Sequence, residues 1–157
     1  MVKTRFLAKT YAVFRFRETI AFKGNLRIDS SINKEVVAME TEDVLQVLRR
    51  VLDPEHPVNV VEMGLVTEED ITINGDEIHI QFTPTVPQCP MGAVIGIIIR
   101  KAVEDEFPKN KVSVQVKPGT HMREDACNSM INNDDQYYSA IEKLNASGAL
   151  DRLILKE

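Results

Sequence analysis

The pair Asn74-Gly75 lies between two short runs in which large apolar residues alternate with polar ones. The apolar positions of these runs are Ile71, Ile73, Ile78, Ile80 and Phe82. Asn-Gly tolerates the positive φ angles of tight hairpin turns, and between alternating runs it is the strongest short-range hairpin signal. The sequence therefore predicts two antiparallel strands, each with one apolar face turned toward a core.

Helical spacing of apolar residues is found on both sides of this hairpin. Thr41 precedes two acids and then apolar residues at helical spacing, which predicts a helix with a hydroxyl N-cap that ends before Pro54 and Pro57. A second apolar helix is predicted from Pro90 to about Glu106, because proline suits the first helical position.

The remaining elements complete a small mixed domain. Alternating valines over residues 112–116 predict a third strand, a polar helix follows the turn at residues 117–121, and a last helix is expected at about Asp135–Leu144. The order is α-β-β-α-β-α-α. We therefore predict an α+β, two-layer fold: a small, mainly antiparallel sheet with helices on one face and a helical C-terminal extension.

Composition excludes several classes of protein. A chain of 157 residues with 43% hydrophobic and 27% charged residues is typical of one soluble domain. No apolar run approaches the roughly 20 residues that cross a bilayer, and a net charge of −5 argues against general nucleic-acid binding. Only two cysteines, Cys89 and Cys127, are present, which excludes a disulfide scaffold and fits a reducing cytoplasm.

The first 38 residues differ in charge from the rest of the chain. Residues 1–38 hold eight Lys or Arg and three acids, a net charge of +5, whereas residues 39–157 have a net charge of −10. We expect a basic, Phe-rich N-terminal extension over 1–38 and the α+β domain over 39–157. Three interpretations of the extension stay open: a poorly ordered arm for an acidic surface, a targeting peptide, or a segment upstream of a start at Met39.

Cys89 is the residue that most directly suggests chemistry. It precedes Pro90, at or near the predicted N-cap of the second helix, where the positive end of the helix dipole would lower the pKa of a thiol. Three prolines between residues 84 and 90 predict a fixed loop that leaves this thiol exposed. Cys89 would then be a nucleophile, a redox thiol or a soft-metal ligand; the alternative is an inert cysteine in a small apolar gap.

The other candidates are less specific. Cys127 lies at the edge of a helical apolar stripe and is expected to be a small core residue, and its spacing from Cys89 matches no zinc or iron–sulfur pattern. His121 follows Pro-Gly-Thr in a loop and is the best candidate partner for Cys89. Thr120 is expected to cap the following helix, with Glu124 reaching back to it.

Four strings in the chain are more specific than any of these single residues. They are Asp53-Pro-Glu-x-Pro-Val-Asn, Gly64-Leu-Val, Phe82-Thr-Pro-Thr-Val-Pro-x-Cys89 and Gly119-Thr-His. With them, the chain from about residue 41 to 155 resembles the cytosolic iron–sulfur assembly component family, whose relatives include the SufT-type maturation factors.

The resemblance implies an iron–sulfur-assembly α+β fold in which Cys89 is the functional thiol and a transient metal ligand. The residues implied to build the loops around it are Asp53, Pro57, Thr83, Pro84, Thr85, Pro87, Thr120 and His121. Two positions depart from the family: Gln88 stands where eukaryotic members often have His, and Cys127 stands where an aliphatic residue is usual.

The resemblance predicts an iron–sulfur protein maturation factor, acting as an adaptor or transient cluster carrier without enzymatic activity. Its expected partners are iron–sulfur assembly proteins, apo-protein clients and a second copy of itself. The expected cofactor is a labile cluster bridged between two chains, and such a cluster takes four ligands. The two copies of Cys89 would supply two of them, so glutathione, a client cysteine or Cys127 would have to supply the others. Two alternatives stay open: a thiol-dependent enzyme using Cys89 with His121, and a pure interaction module.

Overall fold

The computed structural model describes residues 39–156, so the extension predicted over residues 1–38 lies outside the described residues. The helices and strands follow in the order α1 Thr41–Leu48, β1 Ile71–Asn74, β2 Glu77–Phe82, α2 Gly92–Glu106, β3 Lys111–Val116, α3 Glu124–Asn132, α4 Asp134–Ala146 and α5 Ala149–Leu153. The predicted α+β class is confirmed.

The hairpin forms where the sequence predicts it, but its turn lies one residue later. Asn74 pairs with Glu77, so the two loop residues are Gly75 and Asp76. Gly75 has a φ of +60°, and no non-glycine residue of the described part has a positive φ. A positive φ at the first loop residue alone is the pattern of a type II′ turn. Asn74 therefore ends the strand instead of occupying the turn.

The sheet is mixed, not mainly antiparallel as predicted. Its order is β1-β2-β3, and β2 pairs with β3 in parallel, from Glu77 opposite Lys111 to Phe82 opposite Val116. The reason is the long connection through α2, because a strand reached by a helical crossover returns in the same direction. The end of β2 and the start of α2 therefore share the loop that contains Cys89.

The core lies between this sheet and α2. Alternate residues of β2 and β3 are buried, namely Ile78, Ile80, Phe82, Val112, Val114 and Val116. Most of α2 is buried too, because α1, β3 and α3 all pack against it. At Gly96 an added Cβ would overlap the side chain of Ile131 and lie 3.0 Å from Phe82, so only glycine admits this close approach of α3.

The first helix is shorter than its apolar spacing indicates. It ends at Leu48, and its N-cap is Glu40, not Thr41. The apolar residues beyond it serve other contacts, since Val51 forms a β-bridge with Ile154 near the C-terminus. No helix among residues 39–156 combines the length and the hydrophobicity needed to cross a membrane.

The outer edge of β3 is closed by two side chains of α3. Asn132 accepts a hydrogen bond from the Val114 N–H at 3.4 Å and donates to the Val114 carbonyl at 2.7 Å. Asn128 accepts from the Val116 N–H at 2.8 Å. Residues four apart lie on one face of a helix, so the two amides take the place of a fourth strand. This contact fixes α3, and with it Cys127, against the sheet.

The C-terminal extension is held to α2 by a buried arginine. Arg100 donates to the Ile131 carbonyl at 2.9 Å and to Glu104 at 2.8 Å, and its guanidinium lies 4.0 Å from the centre of the Tyr137 ring. The Tyr137 hydroxyl donates to Glu104 at 2.7 Å. The predicted last helix is present as α4, somewhat longer than expected, and a short α5 follows it.

Candidate functional site

Cys89 lies in the loop between β2 and α2 and is only 2% exposed. The helix begins at Gly92 with Met91 as its N-cap, and the Gly92 N–H donates to the Cys89 carbonyl at 3.2 Å. A complete backbone turn thus separates Cys89 from the helix. Cys89 thus lies near the N-cap, as predicted, but two residues before it; the predictions that Pro90 opens the helix and that the thiol is exposed are wrong.

The sulfur at the start of α2 belongs to Cys127. This residue is 8% exposed, which confirms its predicted burial. Burial raises the pKa of the Cys127 thiol; the positive charge of Arg123 lowers that pKa, the nearby Cys89 raises it, and a hydrogen bond from the backbone of Ala93 lowers it. Ala93 is in the first turn of α2. The start of α2 is therefore next to the second cysteine, but burial outweighs the lowering contributions and the pKa of the Cys127 thiol is raised overall.

His121 connects the two cysteines. Its Nδ1 accepts a hydrogen bond from the Arg123 N–H at 3.0 Å and lies 3.8 Å from the Cys127 Sγ. Because Nδ1 accepts, the ring proton is on Nε2, which donates to the Cys89 carbonyl at 3.0 Å. The predicted pairing of His121 with Cys89 is present, but the ring holds the backbone of Cys89, not its sulfur.

Gly92 provides the room for this arrangement. A Cβ at this position would lie 3.2 Å from the Nε2 of His121 and 3.8 Å from the Sγ of Cys127. The first contact is tighter than side chains normally make, so a side chain at position 92 would require the His121 ring to shift by a few tenths of an ångström. The absence of a side chain at Gly92 is therefore part of the site.

The sulfur of Cys89 faces the loop that follows α1. The Cys89 Sγ donates to the Glu55 carboxylate at 3.9 Å, a contact that the sequence did not predict. Asp53, which is 3% exposed, shapes this loop: its Oδ1 accepts from the N–H groups of Glu55 at 2.7 Å and His56 at 2.8 Å. Its other oxygen, Oδ2, is buried and has no hydrogen-bond partner among the described residues. The Asx-type turn at Asp53 is the sequence signal that could have placed Glu55.

The proline-rich approach to Cys89 is tied to two other segments. Thr83 donates its N–H to the Leu65 carbonyl at 2.8 Å, and the Pro87 carbonyl accepts from the Met122 N–H at 2.8 Å. Pro84 and Thr85 lie between these anchors. The loop is therefore held at both ends, which fixes the position of the thiol.

The two other residues predicted to build loops around Cys89 are Pro57 and Thr120. Pro57 is exposed in the Asp53 loop. The Thr120 hydroxyl donates to the Lys117 carbonyl at 2.6 Å, and the N-cap of α3 is Arg123, so the predicted capping role of Thr120 is wrong. Glu124 does reach back, but to the Gly119 N–H at 2.8 Å.

A pocket of about 430 Å³ lies beside the two cysteines. Its lining includes Cys89, Ala93, His121, Cys127, Met122 and Met130. The two methionines are 71% and 41% exposed and mark the side that opens to solvent. Within residues 39–156, no three His, Cys, Asp or Glu side chains converge closely enough to hold a metal ion. Two buried cysteines therefore belong to the lining of a mainly apolar pocket.

The sequence that contains this site matches a known protein family. The family model described as iron–sulfur cluster assembly protein matches residues 41–116, which run from α1 to β3 and include Cys89. The chain is 34% identical over 118 residues to the MIP18 family protein galla-2 of Drosophila melanogaster, covering 73% of this chain and 76% of that protein.

Two further relatives are similar to this chain over most of their length. The chain is 33% identical over 138 residues to Protein AE7 of Arabidopsis thaliana, covering 84% of this chain and 87% of that protein. It is 32% identical over 111 residues to cytosolic iron–sulfur assembly component 2B of Dictyostelium discoideum, covering 69% and 68% of the two chains. Both shares of coverage exceed two thirds, so the likeness extends over most of each protein.

Proposed function

Because the chain belongs to the MIP18 family of iron–sulfur cluster assembly proteins, we propose that it matures iron–sulfur proteins as an adaptor or transient cluster carrier that uses the Cys89 thiol. The relatives support a role in iron–sulfur cluster assembly. The observation that carries the finer proposal is convergence on one residue: Glu55 contacts the Cys89 sulfur, His121 binds its carbonyl, and the proline-rich loop is anchored on either side.

The chemistry of a buried thiol suits this role. Thiolates are the usual protein ligands of iron–sulfur clusters. At 2% exposure the Cys89 sulfur is shielded from bulk water and from dissolved oxidants, yet it lies beside an open pocket. A cargo or client cysteine that enters the pocket would meet a thiol whose position is fixed beforehand.

Ligand number makes the proposed binding transient. A [2Fe–2S] cluster takes four ligands, and Cys89 supplies one per chain. We propose that a labile cluster is bridged between two chains of a homodimer and exchanged with assembly proteins and apo-protein clients. A client would take the cluster by supplying ligands at the coordination positions that the two Cys89 thiols leave open. A cytosolic location is part of the proposal and rests on the name of the Dictyostelium relative.

The geometry favours this role over a Cys–His enzyme. The Nδ1 of His121 is occupied by the Arg123 N–H, and Nε2–H points to the Cys89 carbonyl. Neither ring nitrogen is placed to take a proton from the Cys89 sulfur, as a nucleophile activated by histidine requires. A carrier needs only the thiol and an accessible pocket.

The test is genetic complementation. In cells lacking the protein, we expect iron–sulfur enzyme activity to fall and to return with the wild-type chain but not with Cys89→Ser, which keeps the size of the side chain and removes the soft ligand. Lys109→Ala, an exposed change away from the pocket, serves as the control and should restore activity fully. Equal rescue by Cys89→Ser, at equal protein abundance, would remove the thiol from the mechanism.

A further inference from the structure

We propose that the pocket beside Cys89 is a docking site for a partner protein, which presents an apolar side chain next to an aspartate or glutamate within an extended segment. Such a partner would be a client or an assembly protein, so this docking site rests on the proposed function. What it adds is the chemistry by which the partner is recognised: an apolar group for the pocket and a carboxylate for Arg123.

Exposed apolar side chains cluster at the mouth of this pocket. The large apolar side chains that are exposed within residues 39–156 are Val58, Val86, Met122, Met130, Tyr138 and Leu155. Met122 and Met130 line the pocket, and Val86 accepts a backbone hydrogen bond from the Cys89 N–H at 3.0 Å. Single exposed apolar residues are ordinary, whereas a cluster of them marks an interaction surface. Methionine side chains are flexible, so they adapt to the shape of a partner.

The interior of the pocket suits an apolar side chain. Its volume of about 430 Å³ is within the range of roughly 300–1,000 Å³ that is usual for binding pockets. Ala93 and Ala126 contribute apolar walls. Burial raises the pKa of the Cys127 thiol, so this part of the lining is uncharged at neutral pH. Both ring nitrogens of His121 are already hydrogen-bonded to backbone groups of the chain.

Arg123 brings a positive charge to this apolar pocket. It is exposed, it belongs to the lining, and its charge acts on the Cys127 sulfur. Arg49, Arg50 and Arg100 each form an ion pair with an acid, whereas the Arg123 guanidinium forms none within the described part of the chain. A guanidinium binds a carboxylate through two parallel hydrogen bonds. The unpaired charge therefore complements a carboxylate that lies next to the docked apolar side chain.

The arrangement along α3 favours an internal segment of the partner over its chain end. Met122 precedes α3 and Met130 lies in its last turn; the nine residues of this helix span roughly 13 Å. About four residues of extended chain cover that distance. A segment that contacts both methionines therefore continues past the pocket. Glu124 and Asp125 begin the helix and carry the opposite charge, so Arg123 is the favourable position for the carboxylate of the partner.

Methionine NMR on the full chain tests the docking site with defined peptides. The chain has six methionines, which are labelled with ¹³C at the methyl group, and Met122→Leu and Met130→Leu assign the two pocket signals. The probes are short Gly/Ser peptides, acetylated and amidated, with Leu-Asp, Leu-Asn, Leu-Lys or Ala-Asp at the centre. Leu-Asp should shift both pocket signals saturably and leave Met63, which does not line the pocket, unchanged.

The peptide series separates the apolar contribution from the charged one. Leu-Asp should bind at least about tenfold more tightly than Ala-Asp, because the smaller side chain buries several methyl or methylene groups fewer. It should bind roughly 1.5–5-fold more tightly than Leu-Asn, the contribution of an exposed ion pair. Arg123→Glu should reverse the order and prefer Leu-Lys, whereas Lys109→Glu, the same charge change on an exposed residue outside the pocket, should keep the wild-type order.

Unshifted Met122 and Met130 signals, equal binding of Leu-Asp and Leu-Asn, or an order unchanged in Arg123→Glu would each overturn the docking site. Tighter binding of a peptide that ends in Leu with a free carboxylate would overturn the internal segment. Peptide binding is measured apart from cluster transfer. Its absence alongside cellular rescue that depends on Cys89 would therefore count against the docking site alone, whereas the expected peptide binding alongside full rescue by Cys89→Ser would contradict the proposed function.

Discussion

Asn132→Ala should destabilise the protein far more than its exposed position suggests. Asn132 is an exposed residue at the end of α3, a position where truncation usually changes stability by no more than about 0.5 kcal/mol. Here the amide binds both the N–H and the carbonyl of Val114, which is fully buried. Alanine would leave both backbone groups without their partners.

The expected magnitude follows from these two groups. An unpaired buried donor or acceptor costs roughly 1–3 kcal/mol. Two such groups would cost about 2–6 kcal/mol, and water entering the vacated space moves the result toward the lower end, to about 2–3 kcal/mol. Asn128→Ala exposes only the Val116 N–H and should cost less, roughly 1–2 kcal/mol. Because α3 carries Cys127, both changes should also loosen the pocket.

The assay combines urea unfolding with thiol accessibility. Far-ultraviolet circular dichroism gives the free energy of unfolding, and iodoacetamide alkylation read by mass spectrometry gives the reactivity of Cys127. Ser129→Ala, on the exposed side of the same helix, is the control and should change stability by less than about 0.5 kcal/mol. An Asn132→Ala variant as stable as this control would refute the claim that the amides replace a fourth strand.

Three further changes test other parts of the structure. Gly92→Ala should displace His121 and speed alkylation of Cys127 while altering the free energy of unfolding by no more than about 1 kcal/mol; an unchanged alkylation rate would contradict the close approach. Asp53→Ala removes a charged acceptor of two backbone N–H groups and should cost roughly 1.5–3 kcal/mol in urea unfolding, so an unaltered midpoint would argue against its role in the loop. Burial raises the pKa of Asp70, but hydrogen bonds, chiefly from Lys117, outweigh it and hold that pKa below 3.8. This carboxylate therefore stabilises the fold above pH 3.8 and loses that effect as the pH falls further. The difference in unfolding free energy between wild type and Asp70→Asn should shrink in acid. A difference that does not depend on pH would count against the ion pair with Lys117.

The elements of the fold could be predicted because their signals are local. Alternation around residues 71–82 and helical spacing after Pro90 gave the hairpin and α2 at nearly their observed positions. The parallel pairing of β2 with β3 was missed, since it depends on how the crossover through α2 returns to the sheet. The turn shifted by one residue because Gly75 alone satisfies the positive φ that a type II′ turn needs.

The site was predictable in its residues but not in its contacts. The sequence picked out Cys89 and His121 and placed Cys127 in the core, yet it predicted an exposed Cys89 thiol, which is buried, and did not place the Cys127 sulfur beside the start of α2. The sulfur that lies beside the start of α2 depends on the packing of α3, which begins only at Glu124, so the contact leaves no local signal in the sequence around Gly92. The same holds for Glu55, whose contact with Cys89 depends on the tertiary placement of its loop.

Anaerobic reconstitution with ferrous iron and sulfide tests the central claim most directly. Wild type and Cys89→Ala are treated in parallel, and visible absorption and bound iron per chain are measured. We expect iron–sulfur absorption in wild type and its loss in Cys89→Ala, because the family role is proposed to act through this one thiol. Equal absorption and equal iron in the two proteins would contradict it.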